Sequence, residues 1–139
     1  MFRNPTESAI RDLLAEVRTI AVVGFSPRPE RPSHRIARAL QPFGYRVIPV
    51  RPALAEGLGE KAYRRLRDLP EPPDLVDVFR SPEYVDEVVD DCIAIGARRL
   101  WLQDGIVNED AAARASAAGI TVIMDRCIWR DYRALMDDR

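Results

Sequence analysis

The residues of this chain best suited to chemistry are arginines, and they fall in a pattern. Arg28, Arg31 and Arg35 follow the apolar run Ile20-Ala21-Val22-Val23-Gly24, and Arg51, Arg80 and Arg126 each follow another such run. All but one of the 21 basic residues are arginine, Lys61 being the exception. Arginine's planar fork suits phosphate, so a local basic rim on a chain of net charge -1 points to a small polyanion. The plain alternative is an arginine-rich chain that scatters the residue in solvated loops. The turn after Val23 favours the first reading. Gly24 permits a tight turn, Phe25, Ser26 and Pro27 continue it with Arg28 and Arg31, and a helical pattern opens with Ser33 as its expected cap. Strand, glycine, loop and helix start are the parts of an anion-binding turn, because a helix N-terminus offers unpaired N–H groups and a positive dipole end.

Other reactive groups are sparse. His34 is the only histidine, and beside the expected cap it reads as lying over an anion or in solvent rather than as a base. Asp104 and Asp125 have the right type for acid or base work, but nothing pairs them with a nucleophile. Asp125 reads instead as an ion pair with Arg126. Cys92 and Cys127 form neither a CxxC motif nor a metal-ligand set, so both read as thiols rather than a disulfide. Trp101 and Trp129 read as core and edge aromatics.

Periodicity gives the elements that must position these groups. Pro5 to Val17 carries an apolar stripe of Ile10, Leu13, Leu14 and Val17 behind Thr6, a helix with a cap. Strands are expected at Thr19 to Gly24, Tyr45 to Val50, Asp74 to Phe79, Arg99 to Leu102 and Ile120 to Met124. Helices are expected from Ser33 toward Gly44, after Ser81-Pro82-Glu83 as far as Gly96, from Asn108 to Gly119, and over Ile128 to Met136. A short helical segment is expected around Tyr63 and Leu66. Five strands alternating with helices imply a Rossmann-like three-layer α/β sandwich, a parallel sheet with helices on both faces, and a single domain over residues 1–139. In such a sheet the ligand lies at the carboxyl ends of the strands, where strand order reverses. No run approaches the roughly 20 apolar residues of a membrane span, and Met1 to Leu14 has no apolar signal core, so the expectation is a cytoplasmic protein.

The dinucleotide fingerprint GxGxxG is absent after Val23. An NAD enzyme usually places an acid at the end of the second strand, where it holds the ribose hydroxyls. Here Arg51 stands there, which favours a phosphate on the ribose, as in NADP or coenzyme A, the alternative being a plain turn at Val50-Arg51-Pro52.

The chain resembles the small bacterial CoA-binding proteins, stand-alone domains similar to the CoA-binding domain of succinyl-CoA synthetase alpha subunits and related acyl-CoA synthetases. The matching pieces are Ala21 to Pro27 with Arg31-Pro32-Ser33, Gly44 to Val50, Val76 to Arg80, Ile95-Gly96-Ala97, Trp101-Leu102-Gln103 and Met124 to Cys127. The resemblance implies CoA held across the strand ends. Gly24, Ser26 and Pro27 would approach its phosphates, Arg51 and Pro52 would lie near its adenosine, Phe79 and Arg80 would flank it, and Gln103 would line the pantetheine side. Arg51 departs from the Asn or Pro usual after the second strand. Cys127 would face the CoA thiol, within reach of a mixed disulfide, or else be a small core residue. The synthetases' phosphorylated histidine lies in a second domain that this chain lacks. The expected function is therefore CoA binding without catalysis, with a protein partner or homo-oligomer compatible and no role for nucleic acid or membrane. An NADP-binding oxidoreductase or redox sensor is the alternative, and an interaction module without ligand is the third.

Overall fold

The computed structural model describes residues 1–136, so the last three residues of the 1–139 span lie outside the described residues. The elements run in chain order as α1 (Glu7–Glu16), β1 (Thr19–Val23), α2 (Pro32–Leu40), β2 (Arg46–Val50), β3 (Glu56–Gly57), β4 (Glu60–Lys61), β5 (Leu75–Val78), α3 (Val85–Ile95), β6 (Arg99–Leu102), α4 (Glu109–Ala117), β7 (Thr121–Met124) and α5 (Ile128–Met136). Five parallel strands form one sheet in the order β2-β1-β5-β6-β7. This is the Rossmann-like α/β arrangement expected from the sequence. Order reverses between β1 and β5, since the chain leaves β1 toward one edge, then returns to its other side.

Alternation along the strands divides the core. Ile20, Val22, Leu75, Trp101 and Ile123 pack beneath α1, α2 and α5, while Ala21, Val23, Val76, Val78, Leu100 and Leu102 pack beneath α3 and α4. Because both faces are covered, the strands are apolar beyond their first residues, with Thr19, Arg46, Arg99 and Thr121 as polar starts. Asp77 is the exception, fully buried in β5 with Val22 and Trp101 as its lateral neighbours.

Local sequence sets the boundaries. Thr6 caps α1, its hydroxyl accepting from the Ala9 N–H at 3.1 Å, and Asn108 caps α4 by accepting from Ala111 N–H at 3.0 Å. Such caps contribute about 1 kcal/mol each. Two expectations need correction. Ser33 is not the cap of α2, because Pro32 takes the first helical position and moves the helix start one residue earlier, with Arg31 at the cap making no side-chain bond. The helix expected after Ser81 begins with a 3-10 turn at Pro82–Tyr84, and Ser81 makes no capping bond. The segment around Leu66 is likewise a 3-10 turn, Leu66–Asp68.

The hairpin of β3 and β4 has no strand signal in the sequence. It is held by packing: a Cβ on Gly57 would stand 2.7 Å from the Phe25 ring, so only glycine fits there. Beyond it, Tyr63 bonds Pro49 O and Arg51 N, extending the sheet edge at the end of β2. The other edge is blunted by Asn4, whose carboxamide both donates to Met124 O at 2.9 Å and accepts from Met124 N at 2.8 Å.

Candidate functional site

The site is built where β1 and β5 end side by side. The ladder runs one residue past β1, with Gly24 N bonding Val50 O and Phe79 N bonding Val23 O. Gly24 has φ +86°, and a Cβ there would lie 2.9 Å from both Arg80 Cγ and the Phe79 carbonyl oxygen. Glycine is thus required twice, for the left-handed backbone and for the close approach of the neighbouring loop.

The loop after Gly24 folds back on α2. The buried Ser33 hydroxyl accepts from Ser26 N–H at 2.9 Å, the Ser26 hydroxyl accepts from Arg28 N–H at 3.1 Å, and His34 Nδ1 lies 2.9 Å from the Ser26 carbonyl. A carbonyl only accepts, so His34 carries its proton on Nδ1 and acts as a brace. Its ring also rests against Phe25, centroids 5.1 Å apart. The amides of Arg31, His34 and Arg35 bond the carbonyls of Arg28 and Arg31. Several amides of the turn are therefore satisfied internally, and what the turn offers an anion is largely the charge of Arg31 and Arg35, since Arg28 pairs with Glu30 at 3.1 Å.

A cleft of about 1060 Å³ opens over this turn and runs along the carboxyl ends toward β7. Gly24, Ser26, Arg28, Arg31 and Ser33 line one end, Arg51, Phe79 and Arg80 the middle, and Gln103 and Cys127 the far end. A second cleft of about 660 Å³ lies on the α3 side and is walled by Pro52, with Gly24, Arg51, Phe79 and Arg80 shared by both. Two candidates fall outside. The Phe25 ring is fully buried beneath the turn, and Pro27 is exposed and lines neither cleft.

Arg51 bonds the Phe25 carbonyl at 3.3 Å through Nη1, tying the end of β2 to the first turn. Arg80 lies over the Tyr84 ring, 4.0 Å from its centroid. Neither Arg51, Arg80 nor Arg31 pairs with a carboxylate among the described residues. Gln103 is buried, and its Oε1 accepts from Ile128 N–H at 3.2 Å, pinning the start of α5. Its amide nitrogen has no partner among the described residues and faces the large cleft.

The carboxylates considered for acid–base work are engaged elsewhere. Asp104 pairs both oxygens with Arg130 at 2.8 and 2.9 Å, which holds its carboxyl below the usual range and raises the guanidinium. Asp125 does not pair with Arg126. It sits at φ +62° and accepts from Gly105 N–H at 2.7 Å. Arg126 turns to Asp131 instead, at 2.6 and 2.9 Å, because α5 brings that residue back over the strand end. Trp101 is a core residue whose Nε1 donates to Arg126 O at 2.8 Å. Asp77 has no partner for either oxygen, and burial pushes its carboxyl well above the usual range.

The structure adds lining residues that strand-end logic misses. Trp129 and Arg130 reach the large cleft from the first turn of α5, and Arg64, Arg65 and Tyr84 reach the smaller one. A signal existed for the first pair, since a helix that starts directly after a strand end must place its first turn at that rim. None existed for Arg64 and Arg65, which lie in the segment expected to be helical around Tyr63 and Leu66 and form bends before the 3-10 turn.

Comparison with known proteins gives the family and the fold. The family described as CoA binding domain matches residues 18–133. An uncharacterised Bacillus subtilis protein, YneT, is 42% identical over 126 residues, covering 91% of this chain and 93% of that one. A hypothetical protein from Pyrococcus horikoshii superposes with a TM-score of 0.91 at 34% identity, covering 98% of each chain. A dinucleotide-forming acetyl-coenzyme A synthetase from Ca. Korarchaeum cryptofilum superposes with a TM-score of 0.66 at 28% identity, covering 75% of this chain and 25% of that one.

Proposed function

The chain belongs to the CoA-binding domain family, and we propose that it binds coenzyme A or an acyl-CoA in the double cleft, as a single domain without a reaction of its own. The observation that carries this reading is the set of arginines at the switch point, Arg31, Arg51 and Arg80, which have no carboxylate among the described residues and face both clefts or the first turn. Arg80 is half-buried and Arg31 and Arg51 are exposed at the cleft rim, and cations left without an anion at one rim suit a ligand that brings several. CoA brings a diphosphate and a ribose phosphate.

The residues fit the rest of the molecule as well. The diphosphate falls to Arg28, Arg31 and the α2 start, and the adenosine with its ribose phosphate to the side of Arg51 and Pro52. The pantetheine arm falls to the apolar stretch between Phe79, Ile106 and Trp129, where the unpartnered Gln103 amide meets its carbonyls. A cleft of about 1060 Å³ stands at the upper end of ligand-site volumes. CoA supplies its thiol as the group-carrying atom. No helix among the described residues is long and apolar enough to cross a membrane, and two free cysteines suit the cytoplasm, which the proposal includes.

Thermal-shift titration with CoA, NADP, NAD and ATP tests the reading. A specific ligand at about 100 times its dissociation constant stabilises by roughly 2.7 kcal/mol. CoA is expected to give this shift and NAD none. Stabilisation by NADP without CoA would overturn the proposal, and no shift with any of the four would leave an interaction module.

A further inference from the structure

The two cysteines stand in opposite settings. Cys92 lies in the core under α3, lines neither cleft, and is pushed up to about 12 by burial. Cys127 lines the large cleft although only 6% of its surface is exposed, so the cleft is its route to solvent. It holds the cap position of α5, its carbonyl accepting from Asp131 N–H at 2.9 Å. The positive end of the α5 dipole therefore lies at this residue, and Arg130 lines the same cleft. Gln103 lines the same cleft at 4% exposure; its carboxamide oxygen accepts from the N–H of Ile128, the residue after Cys127, and its amide nitrogen has no partner among the described residues. An open donor in the wall of a cleft beside a thiol offers a contact to an acceptor group of a ligand.

We propose that Cys127 undergoes thiol–disulfide exchange with CoA disulfide, so that the cleft captures one CoA as a mixed disulfide. This rests on the reading that the cleft holds CoA. The Cys127 thiol loses its proton, and its Sγ attacks one sulfur of the CoA–S–S–CoA bond. A new Sγ–S bond forms, the old S–S bond breaks, and the electron pair leaves with the second CoA, which takes up the proton as a free thiol. The disulfide itself is the oxidant, and no other reactant is needed. A free thiol of a reduced CoA reverses the exchange, so the captured fraction follows the ratio of CoA disulfide to CoA. The protein then holds CoA covalently when the pool is oxidised and reversibly when it is reduced.

Intact-protein mass spectrometry after incubation with CoA disulfide tests this. One CoA adduct is expected, removed by dithiothreitol and mapped to Cys127. It persists in Cys92→Ser and disappears in Cys127→Ser. The adduct should form about tenfold faster or more with CoA disulfide than with cystamine, because prior binding raises the effective concentration. Equal rates, or an adduct on Cys92, would overturn the proposal. Thermal shift of Cys127→Ser with reduced CoA separates the two layers. If that variant is stabilised while wild type forms no adduct, the exchange is wrong and CoA binding stands. If reduced CoA stabilises neither protein and no adduct forms, both fall.

Discussion

At the amino ends of the strands the polar side chains bond one another, whereas at the carboxyl ends key cations are left open. Asp74 accepts from Arg18 N–H at 2.8 Å and Thr19 N–H at 3.1 Å, and the Thr19 hydroxyl accepts from Asp74 N–H at 2.8 Å. This reciprocal clamp joins the starts of β1 and β5. Arg99 bonds Glu16 and the Asp74 carbonyl, and Arg18 bonds the carbonyls that end α1. At the opposite end the same two strands are joined by bare backbone contact at Gly24, and Arg51 and Arg80 meet a carbonyl and a ring rather than carboxylates. A finished end of a fold pairs its charges within the chain. An end that leaves cations over a cleft lacks an anion that must come from outside.

Filling the contact at Gly24 should break this contrast most severely. Gly24→Val adds a left-handed penalty and pushes a side chain against the Phe79 backbone, at a cost of about 2–4 kcal/mol from strain and overpacking together. Urea denaturation should show that loss, and CoA should no longer raise the melting temperature. A variant with normal stability and normal CoA response would show that the switch point is not tightly packed. The matching cut at the other end is Asp74→Ala. It strips two backbone donors of their acceptor and should cost about 1–3 kcal/mol, while CoA affinity stays within about twofold, measured by calorimetry. Comparable loss of affinity would mean that the two ends are not separable.

The smaller change at Arg51 sharpens the ligand side. Losing one charge-assisted contact is worth about 1.5–3 kcal/mol, so Arg51→Ala should weaken CoA roughly ten- to a hundredfold. Dephospho-CoA should change little, because the ribose phosphate is the group Arg51 is assigned to meet. Equal losses for both ligands would remove that role and leave Arg51 as a brace for the Phe25 carbonyl.

These variants also mark what the residues declared in advance. Apolar runs closed by Gly24, Gly44, Gly96 and Gly119 made the strands and helices readable, because left-handed turns admit little else. Rim residues directly after each strand were readable for the same reason: the strand fixes where they stand. Side-chain partners were not. Asp125 and Arg126 are adjacent in sequence, yet the left-handed backbone at Asp125 turns it to Gly105, and the α5 coil gives Arg126 to Asp131. Ser33 carries a cap's chemistry, but Pro32 starts the helix first and frees the hydroxyl to brace the loop. Arg64 and Arg65 reach the second cleft from bends between Tyr63, bonded to Pro49 and Arg51, and the 3-10 turn at Leu66, and those bonds are tertiary.

Asp77 belongs to neither end. It lies two residues before the carboxyl rim, fully buried, with neither oxygen bonded. A carboxyl in an unfolded chain titrates near about 3.9, and burial raises the native value well above that. Between the two values the native state holds a proton that the unfolded chain has released. Stability from this group is therefore complete below about pH 4 and falls as pH rises, by up to about 1.4 kcal/mol per unit, until the native carboxyl ionises. Asp77→Asn removes the titration and keeps the shape. Urea unfolding from pH 5 to pH 8 should give the variant a flatter profile than wild type, the difference isolating this one group. Parallel profiles would mean that the carboxyl is solvated or partnered in solution. Coenzyme A should stabilise both proteins alike, since the group faces the α1, α2 and α5 core and lines neither cleft.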